Sequence, residues 1–323
     1  MQSIETAQNK EYNAKIKLKA KKHDSFWNYI PYVVMTIPGI IYLIVNNYIP
    51  MLGIVIAFKN IDYSVGILKS PWFGLSNFEF LFKTTDAFII TRNTICYNAF
   101  FILLNTVIAV SVAILLNEIR SKAALRFYQS FILLPYLISM IVVAYLVYAA
   151  FSVDTGFINK SIFPLLNIGP VDWYNQPKYW PFILPLVNAW KQCGFLCVVY
   201  LASVIGIDKE YYEAATLDGA SKWLQIKTIT LPLLQPVITI MVLLAIGRIF
   251  YSDFGLFYQV PMNSGMLYPT TNVIDTYVYR GLLQIGDIGM ASAAGVYQSL
   301  VGFVLVMLSN MVVRKINPEN ALF

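Results

Sequence analysis

Long apolar runs without charged residues dominate the pattern along the chain. Five runs contain no Asp, Glu, Lys or Arg, and a sixth contains only Lys191; they are Ser25–Phe58, Asn93–Asn117, Phe127–Val153, Thr228–Gly247 and Ile288–Val313, with Tyr179–Ile207 as the sixth. Each run reaches the ~20 residues that an α-helix needs to cross ~30 Å of hydrocarbon. A soluble fold would need surface charge in such stretches. The pattern therefore predicts an all-α integral membrane protein with six transmembrane helices.

The polar segments between these runs set the expected helix bounds. Helices 1, 4, 5 and 6 of the six are expected at about Tyr29–Tyr48, Pro181–Ile205, Pro232–Ser252 and Gly289–Val312. Helices 2 and 3 are expected to be joined by the inner connection Glu118–Arg126. The stretch Phe254–Ile274 is also free of charge, but Pro261, Asn263, Gly265 and Pro269 disfavour a spanning helix. We expect a partly buried loop there.

Lysines and arginines are unevenly distributed between the two predicted sides of the membrane. With a cytoplasmic N-terminus, most of the 23 Lys and Arg residues fall in the inner segments 1–24, 118–126, 208–227 and 314–323. Cytoplasmic loops carry such an excess, so both termini are predicted to lie on the cytoplasmic side of the membrane. The predicted organisation is a basic tail over 1–24, one transmembrane domain over 25–317 and a short cytoplasmic C-terminus over 318–323. The tail either binds anionic lipid or only fixes orientation.

Few residues suited to catalysis or metal binding are present in a chain that is 58% hydrophobic and 12% charged. The single histidine, His23, lies in the tail, and no Gly-x-x-x-x-Gly-Lys-[Ser/Thr] phosphate loop occurs. Cys193 and Cys197 share a helix face, but a metal site needs more ligands. We predict no catalytic residue, no metal site and no cofactor in this chain. The net charge of +6 follows from topology and gives no reason to expect nucleic acid.

A polar loop over 207–232 separates the fourth and fifth helices. Asp208 suits a helix N-cap, and Gly219 can take the left-handed backbone that stops a helix. A second short helix is expected over Ala220–Thr230, and it should end at Leu231-Pro232 because the residue before proline avoids the helical region. The predicted structure is two short helices joined by a bend at the membrane face.

The spacing within this loop resembles a family motif. The motif starts with Glu213-Ala214-Ala215, and Gly219 follows after three residues, the last of which is Asp218. Nine residues separate Gly219 from Ile229, and one more precedes Leu231-Pro232. This spacing resembles the Glu-Ala-Ala loop of permease subunits in bacterial binding-protein-dependent ABC importers. The resemblance implies the fold of type I importers and a loop docked in the cleft of a cytosolic ATPase. It implies that Glu213 makes a polar contact there, that the alanines allow close approach and that Gly219 shapes the bend.

The same resemblance implies the partners of the chain. They are two ATPase subunits that bind ATP and Mg, a second permease subunit that forms a heterodimer, and an extracytoplasmic solute-binding protein. ATP-driven closure of the ATPases would move the loop and rock the membrane helices between inward-facing and outward-facing states.

A narrower resemblance, over about residues 28–318, is to maltose-type sugar permeases and their polysaccharide-type subgroup. It rests on the six-helix layout, on Pro50-Met51-Leu52-Gly53 and on the segment Phe254–Val260. It implies import of oligosaccharides. Asn188 falls on an Asn of that family's sugar site and Phe195 on an aromatic residue, whereas Lys191 and Gln192 depart from the family pattern.

Candidate residues of the substrate path lie on the helices that flank the loop. Asn188, Lys191, Gln192 and Phe195 are spaced i, i+3, i+4 and i+7, so they share one helix face. Arg248, Tyr251 and Ser252 repeat the i, i+3, i+4 pattern on the next helix, followed by Asp253. We expect the two faces to meet around the translocation path.

Two alternatives stay open at this point. Lys191 and Arg248 are costly inside a membrane, so they either form structural contacts, through an ion pair with Asp253 or by snorkelling, or line a cavity for acidic oligosaccharides. The chain could also be a secondary, ion-coupled transporter, or an importer permease for a solute other than a sugar. A proton-driven carrier needs a titratable acid in the membrane, and only Asp253 approaches that role.

Overall fold

The computed structural model of the protein describes residues 29–316, and the regular structure of these residues is helical. The chain divides into two compact units, Met1–Ile54 and Val55–Phe323. The predicted basic tail over 1–24 and the predicted C-terminus over 318–323 lie outside the described residues. The main helices are α1 Ile30–Phe58, α2 Thr85–Asn117, α3 Lys122–Leu137, α4 Met140–Phe151, α5 Trp180–Ile205, α6 Lys209–Leu217, α7 Lys222–Ile246, α8 Phe254–Tyr258, α9 Ile274–Arg280 and α10 Ile288–Ile316.

The number of membrane spans agrees with the sequence pattern. In the described part of the chain, α1, α2, α5, α7 and α10 are each long and apolar enough to cross a membrane. The pair α3 and α4 supplies a sixth span if it is counted as one bent unit. The prediction of an all-helical membrane protein is therefore confirmed, while the orientation of its termini stays a prediction.

The third predicted span is broken. Helices α3 and α4 meet at an angle of 95° instead of forming one straight helix over Phe127–Val153. Ser139 is extended and its hydroxyl accepts a hydrogen bond from the Val142 amide, so it caps the start of α4. The break leaves carbonyls at the end of α3 without helical partners, which must be satisfied within the protein because lipid offers no donors.

The fifth predicted span ends early. Helix α7 stops at Ile246, six residues before the expected end at Ser252, and the chain runs through turns and extended backbone from Gly247 to Asp253. The expected loop over Phe254–Ile274 contains α8 and a one-turn helix at Tyr268–Thr271. Leu256, Phe257, Val260 and Leu267 of this segment are buried against α2, α4 and α5.

Helix α5 is the central helix of the larger unit and contacts α3 at very short range. A Cβ atom added at Gly194 of α5 would lie 2.3 Å from the Ile132 carbonyl oxygen and 2.8 Å from the Leu133 Cα of α3. Small residues allow membrane helices to approach so closely. The crossing at Gly194 therefore fixes how α5 packs on the half of the broken span that precedes the bend.

Substituting Gly194 with Ala is expected to destabilise the protein by about 1–3 kcal/mol or more, because the backbones must separate. Gly295→Ala in α10 is the matched control, since a Cβ there meets nothing within 4 Å. Within a helix that change alone favours folding by roughly 0.5–1 kcal/mol. Thermal unfolding of the two purified variants in detergent should shift in opposite directions or only in Gly194→Ala. Equal shifts would contradict the close crossing.

Candidate coupling loop and translocation cavity

The polar loop contains two helical segments, as its sequence predicts. Helix α6 begins after Asp208, whose carboxylate accepts a hydrogen bond from the Glu210 amide at 3.0 Å. It ends at Leu217, and Gly219, two residues later, has a φ of +78° and is the left-handed residue. The Gly219 and Ala220 amides donate to the Thr216 and Ala215 carbonyls at 3.0 and 2.9 Å, so these carbonyls of the last turn are satisfied.

The second helical segment differs from the prediction. Ser221 caps its start by accepting from the Leu224 amide at 3.3 Å. The segment does not stop at Leu231-Pro232 but continues through a π-turn at Ile226–Thr230 into the membrane-length part of α7. Proline fits because the turn has already shifted the hydrogen-bond register and Pro232 lies in the first turn of the regular helix that follows.

Side-chain hydrogen bonds fix the angle between α6 and α7. Buried Gln225 donates to the Thr216 hydroxyl at 3.0 Å and to the Ala220 carbonyl at 3.2 Å. The hydroxyls of Tyr212 and Thr230 are 3.0 Å apart. A movement imposed on α6 would therefore be passed to α7 through defined contacts as well as through the chain.

The exposed face of the loop includes predicted residues and residues that the sequence analysis missed. Glu213, Ala214, Asp218, Leu231 and Pro232 are exposed, whereas Ala215 and Ile229 are half-buried. Leu217 and Trp223 are 89% and 73% exposed. Two large apolar side chains on a polar loop are the signal that could have identified them, since exposed apolar groups in a cluster mark docking surfaces.

An exposed ion pair connects the loop to the α2–α3 connection. The Lys222 ammonium lies 3.1 Å from the Glu118 carboxylate. Exposed pairs of this kind contribute at most about 1 kcal/mol. The pair therefore orients the loop relative to α2 and adds little to stability.

A cavity of about 240 Å³ lies between α2, α5 and the segment after α7. Five of the eight residues predicted for the substrate path line it, namely Asn188, Gln192, Arg248, Tyr251 and Asp253. The predicted meeting of the two helices is therefore seen, although the backbone from Gly247 onward is unwound and the i, i+3, i+4 pattern assumed for Arg248, Tyr251 and Ser252 does not apply.

Helix α2 contributes a polar residue that the sequence analysis missed. Asn105 lines the cavity, is buried, and donates from Nδ2 to Asn188 Oδ1 at 2.8 Å. Its own Oδ1 has no hydrogen-bond partner among the described residues. A polar residue in the middle of a long apolar helix was the available signal, because such residues face the bundle interior.

The unwound segment that carries Arg248 and Tyr251 is held by three other elements. Asn98 of α2 donates to the Ile249 carbonyl at 2.8 Å and to the Ser252 hydroxyl at 3.2 Å. Gln298 of α10 donates to the Phe250 carbonyl at 2.7 Å. Irregular backbone at membrane depth is tolerated only where it is satisfied by protein or lines a cavity, and both conditions hold here.

Asp275 of α9 also holds the unwound segment in place. Its carboxylate accepts from the Ser252 amide at 2.7 Å and from the Gln298 side chain at 3.1 Å. Burial raises the pKa of the Asp275 carboxyl, and the two hydrogen bonds oppose that effect. Ser252 itself is thus occupied in holding the segment and does not line the cavity.

Two predicted path residues face helix α3. Lys191 donates to the carbonyls of Ile138, Tyr136 and Pro135 at 2.6, 3.2 and 3.4 Å, and Phe195 stacks on Tyr136 with ring centroids 5.1 Å apart. Lys191 therefore satisfies the carbonyls freed by the break between α3 and α4. The alternative of an ion pair with Asp253 is wrong for both cations within residues 29–316, where Asp253 instead caps α8 through the Leu256 amide.

A larger cavity, of about 970 Å³, is lined mostly by apolar side chains such as Phe58, Phe82, Phe88 and Leu300. A hydrated solute needs hydrogen-bonding groups along its path. The smaller cavity provides such groups, whereas the lining of the larger one is mostly apolar.

Known proteins match this chain in both sequence and fold. The model of the family described as "Binding-protein-dependent transport system inner membrane component" matches residues 105–318. The polygalacturonan/rhamnogalacturonan transport system permease protein YteP of Bacillus subtilis (strain 168) is 34% identical over 298 residues, which cover 88% of each chain.

Two solved structures have nearly the same fold. One is a bacterial ABC transporter involved in the import of the acidic polysaccharide alginate, with a TM-score of 0.82, 31% identity, and coverage of 90% of this chain and 97% of that chain. The other is a bacterial alginate ABC transporter in complex with alginate pentasaccharide-bound periplasmic protein, with a TM-score of 0.82, 29% identity, and coverage of 92% and 98%.

Proposed function

The chain belongs to the family of binding-protein-dependent transport system inner membrane components and is a permease subunit of an ABC importer in the cytoplasmic membrane, and we propose that it translocates acidic oligosaccharides. The observation that carries this proposal is the polar cavity that holds Arg248. Arg248 is exposed, and its side chain has no hydrogen bond or ion pair among the described residues. A cation without a partner, beside Asn188 and Gln192, suits a ligand that combines carboxylates with hydroxyls.

The relatives support the acidic character of the substrate. YteP is described as a polygalacturonan/rhamnogalacturonan permease, and one structural relative imports an acidic polysaccharide. At Lys191 and Gln192, this chain departs from the maltose-type sugar site that it resembles. Lys191 is explained by the break between α3 and α4, so Arg248 is the cation that faces the proposed path.

A second permease subunit is part of the proposal. The cavity of about 240 Å³ is smaller than the ~300–1,000 Å³ of typical small-molecule sites. One chain would thus provide one wall of the path, and a different permease the other wall. An extracytoplasmic solute-binding protein would deliver the oligosaccharide, in line with the periplasmic protein in the related alginate complex.

Energy would come from two ATPase subunits that bind ATP and Mg. The loop over 207–232 would dock in one of them through Glu213, Ala214 and the neighbouring apolar side chains Leu217 and Trp223. No ATPase site is proposed in this chain itself, which has no phosphate-loop motif.

The experiment is reconstitution of the chain with its ATPase, its partner permease and its binding protein in proteoliposomes. Uronic acid oligosaccharides are expected to stimulate ATP hydrolysis and to accumulate inside, whereas neutral maltooligosaccharides of equal length should do so at least about tenfold less. That ratio corresponds to the loss of one charge-assisted hydrogen bond. Equal uptake of both kinds would remove the acidic assignment, and uptake without ATP would remove the importer mechanism.

A further inference from the structure

A second polar cavity, of about 350 Å³, lies away from the translocation cavity, between the start of α2 and the end of α9. Its wall contains Asp86, Tyr268, Tyr277, Arg280 and Gln284. Its volume falls in the ~300–1,000 Å³ range of small-molecule sites. Predicted topology places this cavity at the extracytoplasmic face, where an oligosaccharide would enter.

Arg280 is the unusual feature of this cavity. The residue is only 7% exposed, yet no carboxylate lies within 4 Å of its guanidinium among the described residues. Burial lowers the pKa of Arg280, and the nearby Tyr268, Tyr258 and Asp86 oppose this effect. Arginine nevertheless stays charged in proteins, so among the described residues this buried cation forms no ion pair, and Asp86 acts on it only from a longer distance.

Neutral groups hold the guanidinium in place. Nη1 donates to Asn263 Oδ1 at 3.1 Å, and Nη2 donates to Asn272 Oδ1 and to the Thr276 hydroxyl. The guanidinium carbon lies 4.2 Å from the centroid of the Tyr268 ring. Of the five N–H groups of arginine, these contacts use three, and the Tyr268 side chain is a further hydrogen-bonding neighbour. The cation is therefore fixed in position, with one N–H group left for a ligand.

The rest of the cavity wall carries a carboxylate and an amide side chain. The Asp86 and Gln284 side chains are exposed and form no hydrogen bond with described residues, so they are open to a ligand. An ionised carboxylate such as Asp86 only accepts hydrogen bonds, which selects hydroxyl donors. A ligand with one carboxylate facing Arg280 and hydroxyls facing Asp86 and Gln284 would satisfy both sides of the cavity.

We propose that this cavity binds one uronic acid unit of the oligosaccharide at the entrance to the permease, with its carboxylate on Arg280 and its hydroxyls on Asp86 and Gln284. A uronic acid ring carries one carboxylate and several hydroxyls, whereas a neutral sugar would leave the cation unpaired. The proposal rests on the proposed function, because it assigns that substrate a second, earlier site.

The test measures binding of free trigalacturonate to the complete complex in nanodiscs, with maltotriose as the neutral probe. Arg280→Gln is expected to weaken trigalacturonate binding about tenfold or more, because it removes a charge-assisted contact. Asp86→Asn is expected to tighten it by about two- to threefold, because a like charge at an exposed position is removed while an acceptor oxygen remains. Lys83→Gln, three residues before Asp86, is the control for general positive charge and should change nothing.

Comparing the two variants separates the loss of a binding contact from a disturbed fold. Arg280→Gln removes hydrogen bonds to Asn263 and Asn272 and could disturb the fold, but Asp86→Asn breaks no described contact and must act in the opposite direction. Unchanged trigalacturonate binding in both variants would overturn the site while leaving the proposed function standing, provided that acidic oligosaccharides still stimulate the wild-type complex. Failure of wild-type stimulation would reject both.

One further outcome would also overturn the proposal. If the variants lose stimulation by the loaded binding protein but bind free trigalacturonate normally, the cavity receives an acidic side chain of the binding protein and not the sugar. Measuring free-ligand binding and binding-protein-dependent ATP hydrolysis on the same samples separates these cases.

Discussion

Replacing Glu213 with Ala or Gly219 with Val is expected to abolish substrate-stimulated ATP hydrolysis while the protein still inserts into the membrane. Glu213 is exposed and has no ion pair among the described residues, so its removal costs the fold nothing. In the docked complex it would lose a charge-assisted contact of about 1.5–3 kcal/mol, or roughly ten- to a hundredfold in affinity for the ATPase.

Gly219 acts through the backbone alone. A Cβ at this position meets nothing within 4 Å, but φ is +78°. A valine there is strained by roughly 1–2 kcal/mol, and the strain is relieved by turning α6 relative to α7. Because Gln225 and Tyr212 tie the two helices together, such a turn displaces the docking face.

The control for this prediction is Gly219→Asn, since asparagine tolerates the left-handed region. It should retain most of the stimulation that Gly219→Val loses. The measurement is ATP hydrolysis of the reconstituted complex with and without loaded binding protein. Wild-type stimulation in Glu213→Ala and Gly219→Val together would mean that the loop does not couple the ATPase to the membrane helices.

Local sequence signals predicted this loop well. The N-cap at Asp208 and the left-handed residue Gly219 depend only on nearby residues, and the structure has both. The end at Leu231-Pro232 was wrong because the π-turn at Ile226–Thr230 shifts the hydrogen-bond register, so Pro232 falls in a first turn, where its missing amide leaves no helical hydrogen bond unmade. The exposed Leu217 and Trp223 were missed because hydrophobic pattern alone does not show which face of a short helix lacks intrachain partners.

Long-range contacts explain the larger errors. The early end of α7 depends on the side-chain amides of Asn98 and Gln298, which donate to the Ile249 and Phe250 carbonyls. Both donors are distant in sequence from the carbonyls that they satisfy. The break between α3 and α4 likewise depends on Lys191, about 50 residues later. Apolar runs show where a chain can cross a membrane, but they do not show where another helix replaces its hydrogen bonds.

The two cations in the membrane-length segments are expected to fail in different ways when they are replaced. Lys191→Met removes the donor to the Ile138, Tyr136 and Pro135 carbonyls. Unsatisfied carbonyls at membrane depth are costly, so stability should fall by about 1.5–3 kcal/mol. Transport of acidic and neutral oligosaccharides should fall together, in proportion to the folded protein that remains.

Arg248→Met is expected to spare stability and change selectivity, because the Arg248 side chain forms no hydrogen bond or ion pair with described residues and lines the same cavity as Asn188. Uptake of an acidic oligosaccharide should drop roughly ten- to a hundredfold through the loss of a charge-assisted contact, while any residual uptake of a neutral one is unchanged. Uptake by Arg248→Lys, which keeps the charge without the planar guanidinium, should fall between that of wild type and that of Arg248→Met.

Thermal unfolding and uptake by the same proteoliposomes would measure both effects. Normal acidic uptake by Arg248→Met would show that the cavity does not select substrates by charge. A selective loss of acidic uptake in a fully stable Lys191→Met would show that Lys191 contacts the substrate.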